Sequence, residues 1–506
     1  MNVNKLAEKE SELVRTGIAG LDDVLVGGLP PNRVYLVHGN PGSGKTTLAL
    51  QYLLEGVRQG EKVLYVTLSE TKEELLAVAR SHGWSLERIQ IYEMATNEQD
   101  LEPENQFTMY QPSEVELNVT TKAILAEFEK LNPSRVALDS LSEIRLLAQN
   151  PLRYRRQILA LKQYFAGRQC TVLMLDDKTS EIGDLQLESI THGVISLEQM
   201  SPAYGASRRR LSVTKMRGIQ FRGGYHDFII EPGGLQVFPR LIAAEHDGRK
   251  HKGGQLQSGI RELDMLLGGG IEWGTSILLV GPAGTGKSST ALQYAISEAA
   301  KGHRSAIFAF DERIEIILER AAGLGMDLET CYRQNLVTIQ SVDPAELSPG
   351  EFGHYVRMAA EGEDGRPAAK IIIIDSLNGY LNAMPEERFL IIQLHELLTY
   401  LGHKGIVSFL IVAQHGLLST VQSPLDTSYL ADSVMMFRYF EVKGEVKQAI
   451  SVVKKRSGHH ERTIREFRLV DKQGIVIGEP LRQFKGVLTS TPEIEDATTT
   501  ARRKHE

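Results

Sequence analysis

The residues Gly39-Asn40-Pro41-Gly42-Ser43-Gly44-Lys45-Thr46 fit the pattern G-x-x-x-x-G-K-[ST], whose glycines stand where a backbone must bend tightly around a phosphate. Consecutive N–H groups, backed by the start of the next helix, suit phosphate oxygens. Lys45 is placed to reach the terminal phosphates of a nucleotide, and the Thr46 hydroxyl to bind Mg²⁺. Gly42, Ser43, Gly44 and Thr47 complete the cradle. The apolar run Val34-Tyr35-Leu36-Val37 predicts a strand entering the loop, and a helical pattern from Thr46 to about Arg58 leaves it.

The motif then recurs. Gly281-Pro282-Ala283-Gly284-Thr285-Gly286-Lys287-Ser288 repeats it, with Ser289 in the place of Thr47, and 287 minus 45 gives an offset of 242. Upstream, Thr16-Gly17-Ile18 and Leu21-Asp22 return as Ser258-Gly259-Ile260 and Leu263-Asp264; downstream, Leu50-Gln51-Tyr52 returns as Leu292-Gln293-Tyr294. Matching flanks at one offset mark a tandem duplication of a phosphate-loop domain.

A chain of 506 residues is too long for one core, and the repeat shows where to divide it. The expected order is a flexible N-terminus over 1–12, a first domain over 13–245, a charged, Gly-rich linker over 246–254, a second domain over 255–488 and a disordered tail over 489–506. Inside each domain, short aliphatic runs alternate with amphipathic stretches. Val63-Leu64-Tyr65-Val66, Val136-Ala137-Leu138-Asp139 and Thr171-Val172-Leu173-Met174-Leu175 are matched by Ala306 to Phe310, Ile371 to Asp375 and Ser408 to Val412. Such runs read as buried parallel strands, and right-handed crossovers then give an α/β fold, a mainly parallel doubly wound sheet flanked by helices in each half.

The formal net charge of −7 argues against a general nucleic-acid binder, which carries a basic footprint. The two cysteines, Cys170 and Cys331, fall in different halves and suggest no disulfide framework, so a reducing cytoplasm is expected. No apolar run approaches the length that spans a bilayer and the N-terminus lacks a signal-like segment, so no membrane partner is expected.

Three further positions carry chemistry. An aliphatic strand ending in an acid after a phosphate loop is the second nucleotide signature, and Asp139 and Asp375 fit it as Mg²⁺ ligands beside Thr46 and Ser288. A carboxylate after the second strand of each half, Glu70 in Leu68-Ser69-Glu70-Thr71 and Asp311 with Glu312 in Phe310-Asp311-Glu312-Arg313, is placed to orient water or take a proton from a hydroxyl. An acid there also commonly caps a helix; in the second half, Asp311 is a further Mg²⁺ candidate, and adjacent acids are expected to raise one another's pKa values. Late in each half comes a basic cluster, Lys215-Met216-Arg217 and Lys454-Lys455-Arg456. Cations spaced by two on a strand share a face and call for an anion; lying far in sequence from their own loop, they read as groups supplied to a neighbouring subunit's triphosphate.

Paired phosphate-loop units with these late Lys-x-Arg clusters resemble the KaiC family, a double-domain branch of the RecA-like ATPases. So do Ser258-Gly259-Ile260 with Leu263-Asp264, Arg465-Glu466-Phe467, and the run from Ser428 to Phe440. The resemblance covers about residues 13 to 488 and implies a two-tiered hexameric ring that binds ATP and Mg²⁺ at subunit interfaces. It implies slow hydrolysis in the first ring through Glu70, phosphotransfer in the second through Asp311 and Glu312, and a KaiB-like protein as a partner. The family's Glu-Glu pair becomes Ser69-Glu70 and Asp311-Glu312 here, and its Ser-Thr acceptors fall on Ser428 and Tyr429. Ser428 is therefore the expected phosphorylation site, with Thr427 and Ser433 nearby. Circadian or signalling regulation is the implied role. Two other classes compete: a DNA-directed RecA-type motor, opposed by the acidic balance, and a nucleotide-gated scaffold with little turnover, which Ser69 and Tyr429 leave open.

Overall fold

The computed structural model describes residues 13–94, 112–178, 186–202, 205–245, 253–362, 365–382, 390–414, 429–485 and 493–494. The expected flexible N-terminus, most of the expected linker and tail, and Ser428 with Thr427 lie outside the described residues. The chain forms two compact units, Met1–Arg240 and Leu241–Glu506.

In the first unit the strands are β1 (Val34–Gly39), β2 (Val63–Thr67), β3 (Gln90–Glu93), β4 (Arg135–Asp139), β5 (Thr171–Asp177), β6 (Gly193–Met200), β7 (Arg208–Met216), β8 (Tyr225–Glu231) and β9 (Gly234–Phe238). They make one sheet ordered β3-β2-β4-β5-β1-β6-β7-β8-β9. From β3 to β6 all neighbours are parallel, and from β6 to β9 they are antiparallel. The parallel part is the doubly wound sheet expected from the aliphatic runs. The antiparallel meander extends it on one side.

The parallel strands are buried on both faces because successive side chains feed two cores. Tyr35 and Val37 of β1 pack with Leu48 and Tyr52 of helix α1 (Lys45–Arg58) and Leu75 of α2 (Lys72–Ser81). Val34 and Leu36 pack with Phe128 of α3 (Pro112–Leu131), Ile144 of α4 (Leu141–Ala148) and Ile158 of α5 (Pro151–Ala166). Local signals place these helices. Thr71 and Glu74 form a capping box at the start of α2, and Asn150 caps α5, which carries Pro151 in its first turn.

The second unit repeats the plan. Its strands are β10 (Ser276–Gly281), β11 (Arg304–Ala309), β12 (Val337–Ser341), β13 (Ala369–Asp375), β14 (Val407–Ala413), β15 (Ser433–Val442), β16 (Glu445–Lys455), β17 (Arg465–Val470) and β18 (Gly474–Pro480). The sheet order, β12-β11-β13-β14-β10-β15-β16-β17-β18, is the same permutation. Helices α6 (Lys287–Ala299) and α7 (Ile314–Gly323) stand where α1 and α2 stand in the first unit. One expectation needs correction. Within the stretch read as a structureless tail, Glu493–Ile494 pairs as a strand with Phe484–Lys485, which gives those backbone groups partners.

One buried charge ties the first unit together. Arg135 is 1% exposed, so its guanidinium must find every partner inside the protein. It donates to both oxygens of Glu61 (2.7 and 3.0 Å) and to the carbonyls of Arg15 (2.7 Å) and Tyr52 (3.0 Å), and lies over the Tyr52 ring. Arg135→Met is expected to cost the first unit about 3 kcal/mol, toward the lower end for a broken buried pair because Glu61 keeps some water. Urea unfolding followed by a probe in the first unit checks this; an unchanged midpoint would show that the pair is neutral.

Candidate functional site

Each phosphate loop leaves the carboxyl end of the central strand, β1 or β10, and runs into α1 or α6. The antiparallel meander forces its shape. Gly44 has φ +100°, and a Cβ there would lie 2.6 Å from Ile230 Cδ1 on β8; Gly286 has φ +91°, and its Cβ would lie 2.5 Å from Phe467 Cε1 on β17. Only glycine fits both the backbone and the space. In the second unit Tyr439 and Gln448 also hold the loop, donating to the Ala283 and Gly284 carbonyls at 3.2 and 3.1 Å.

In the first unit Lys45 is 7% exposed. Its ammonium donates to the Gly39 and Asn40 carbonyls at 2.9 and 3.1 Å and pairs with Asp177 at 2.7 Å. Thr46 Oγ1 donates to Asp139 Oδ2 at 3.0 Å, and the Tyr65 phenol donates to the same oxygen. Burial pushes the Asp139 carboxyl up from its ordinary value, while the Tyr65 and Thr46 hydrogen bonds and Lys45 pull it part of the way back. Among the described residues the Ser43 hydroxyl is buried without a partner, and Thr47 is buried as well.

The second unit brings together the same groups in altered surroundings. Lys287 donates to the Gly281 and Pro282 carbonyls at 2.8 and 2.6 Å. Burial pushes it down to about 8, against a smaller opposing effect of Asp375. Burial raises the Asp375 carboxyl, and the Ser288 hydrogen bond and Arg320 lower it. Thr285 donates to the Pro282 carbonyl at 2.8 Å, and Ser289 is buried.

The acids after the second strand are not helix caps. Thr71 caps α2, and Glu70 precedes it. Burial and then the Asp139 charge raise the Glu70 carboxyl, and its Oε2 is buried without a hydrogen-bond partner among the described residues. Asp311 and Glu312 turn to different partners. The Ser376 hydroxyl donates to Asp311, and Arg320 Nη1 lies 2.6 Å from each Glu312 oxygen. Adjacent side chains at a strand end diverge, so sequence neighbours need not share a site.

The donor set fits a small hard cation held in part by phosphate. Among the described residues no group of three or more His, Cys, Asp or Glu gathers to hold a metal. One hydroxyl and one carboxylate meet in each unit, Thr46 with Asp139 and Ser288 with Asp375. Mg²⁺ is commonly bound this way, completing its shell with water and substrate phosphates.

The basic clusters lie away from their own loops. Lys215 is level with Val194 and Arg217 lies one residue past β7, so both sit toward the entry of β1, whereas the loop leaves its far end. Lys215 donates to the Glu188, Ser189 and Thr191 carbonyls, and Arg217 to the Ser189 carbonyl. Lys454 donates to the Ala431 carbonyl at 2.8 Å, and Arg456, one residue past β16, to the Tyr429 carbonyl (2.8 Å) and Asp432 (3.2 Å). The expectation that each cluster must have an anion is thus too strict. Backbone carbonyls supply much of what these cations need within one chain. Nor are both members on a strand.

Asp177, Tyr65 and Arg320 were not singled out in the sequence. The repeat held a signal for each, because at matched positions the second unit has Ala413 and Ile307, and the first has Val78.

Comparison with known proteins agrees with the duplicated plan. The family model described as "ATPase: KaiC" matches residues 14–242 and again 256–482. The circadian clock oscillator protein KaiC of Synechococcus elongatus is 28% identical over 95% of this chain and 91% of its own length. The circadian clock protein KaiC3 of Synechocystis is 28% identical over 95% of this chain and 94% of its own. No helix among the described residues is long and apolar enough to cross a membrane.

Proposed function

The chain belongs to the KaiC family of ATPases, and from that premise we propose a ring-forming enzyme that hydrolyses ATP in its first unit and phosphorylates its own serine in the second. The observation that carries this reading is the convergence, in both units, of a buried loop lysine, a loop hydroxyl on a strand-end aspartate, and a nearby glutamate. Lys45 and Lys287 hold the terminal phosphates in the proposed complex. Thr46 with Asp139 and Ser288 with Asp375 would hold Mg²⁺, which would offset charge on the phosphate oxygens. Glu70, with one oxygen lacking a hydrogen-bond partner and its carboxyl raised by burial and Asp139, orients and deprotonates water in the first unit. Glu312 takes the proton from the serine in the second.

Transfer between subunits is supported by where the acceptor stretch sits. Tyr429 to Asp432 is gripped by Lys454 and Arg456, and Asp432 binds Ser276, the first residue of β10. The loop starts at the other end of that strand, about 17 Å away at 3.3 Å per residue. Lys454 and Arg456 are thus remote from their own loop, which favours their service to a neighbour's nucleotide. A hexameric ring, a timing or signalling role like that named for the relatives, and a KaiB-like partner belong to the same proposal.

Ser428 is the proposed acceptor. Of the alternatives, Ser433 is 2% exposed within β15, and Tyr429 is 52% exposed but carries its hydroxyl on a ring. An oxygen misplaced by about 1 Å can cost roughly a hundredfold in rate. Incubation with Mg·ATP followed by phosphopeptide mapping is expected to show one dominant phosphoserine at 428, most of it lost in Ser428→Ala. A main phosphate on Thr427, Tyr429 or Ser433 would refute the assignment.

A further inference from the structure

In the first unit the loop lysine already holds a carboxylate. An ammonium has three protons to donate, and Lys45 directs its contacts to three oxygens: Gly39 O, Asn40 O and Asp177 Oδ1. The pairing follows from the sheet, because the β1–β5 register sets Gly39 opposite Asp177. The other Asp177 oxygen accepts from Ser142 at 3.2 Å. In the second unit the same register sets Gly281 opposite Ala413. There Lys287 has its two loop carbonyls, and a methyl group stands where the first unit has a carboxylate. This position is one of those that separate the two loops, and the one that touches the loop lysine.

We propose that Asp177 is a resident competitor for nucleotide phosphate, a positioning residue that holds Lys45 when the first site is empty and lowers that site's affinity relative to the second. A phosphate oxygen gains the third lysine proton only by displacing Asp177. The displaced carboxylate then remains near the incoming charge and near Asp139 and Glu70, both of whose carboxyls it already raises. Mg²⁺ offsets part of that repulsion, so the discrimination is largest for nucleotide without metal. This rests on the reading of both loops as nucleotide sites.

The test is nucleotide titration of the full-length chain with one site disabled at a time. With Lys287→Ala silencing the second site, Asp177→Asn keeps the shape and the capacity to accept from Ser142 but removes the charge. It is expected to tighten ATP binding about tenfold, as loss of one partly screened charge contact implies. Adenosine, lacking phosphate, is expected to bind both forms equally, whereas a loosened site would shift both ligands. Conversely, with Lys45→Ala silencing the first site, Ala413→Asp is expected to weaken ATP at the second by a similar factor. Unchanged or weaker ATP binding in Asp177→Asn, or an equal gain for adenosine, would overturn the proposal. Absence of ATP binding at either loop in the unsubstituted chain would instead refute the nucleotide reading beneath it.

Discussion

Lys287→Ala is expected to weaken ATP binding at the second loop about a hundredfold and to leave the chain without phosphoserine, while ring assembly survives. A charge-assisted hydrogen bond contributes about 1.5–3 kcal/mol, and each 1.4 kcal/mol is a factor of ten in affinity. Lys287 is 5% exposed, so water replaces its charge poorly. Lys45→Ala is expected to do comparable damage at the first loop and to remove much of the proposed ring, since nucleotide bound at the proposed subunit interface would favour the assembled state by mass action. It also leaves Asp177 without its lysine, beside Asp139 and Glu70. Paired sizing and phosphate assays on the two variants separate these effects. The reverse pattern, with assembly lost in Lys287→Ala and phosphoserine lost only in Lys45→Ala, would mean that the roles of the units are exchanged.

What could be read from the chain was whatever lies close together along it. The loops, the aliphatic strand ahead of each, the strand-end acids Asp139 and Asp375 and the acid after the second strand are local patterns, doubled by the repeat. The contacts that distinguish the units are not local. Asp177 meets Lys45 across 132 positions because two parallel strands share a register, and Tyr65 meets Asp139 across 74. Arg320 is eight residues from Glu312, close enough to notice, yet its direction depends on how α7 leaves β11. Adjacency misled in the opposite sense for Asp311 and Glu312, which occupy different surroundings. Of the meander, only the strand beside each basic cluster was read from the sequence, and its packing of Ile230 and Phe467 against the loop glycines was not.

Glu312→Gln is expected to slow phosphoserine formation about a hundredfold while ATP remains bound, the range in which a positioned general base contributes. The amide keeps the shape of the side chain and loses the ability to take a proton. In the second unit that ability is restrained at rest, because Arg320 Nη1 lies 2.6 Å from both Glu312 oxygens. To accept a serine proton, Glu312 must loosen its hold on the guanidinium. Among the described residues of the first unit, Glu70 Oε2 has no such restraint. Val78 occupies the position of Arg320, and Glu70 keeps a buried oxygen without a partner. Arg320→Val is therefore expected to raise phosphoserine formation several-fold, by removing a charge-assisted contact made to the ground state and weakened as the proton arrives. The same substitution in a Glu312→Gln chain is expected to do nothing further, since the two residues act as a unit. Single-turnover phosphorylation with labelled ATP reads both rates. A Glu312→Gln chain that phosphorylates at the unsubstituted rate would show that the proton goes elsewhere. An Arg320→Val chain that is slower, with ATP still bound, would show that the arginine serves the phosphate itself and not the glutamate.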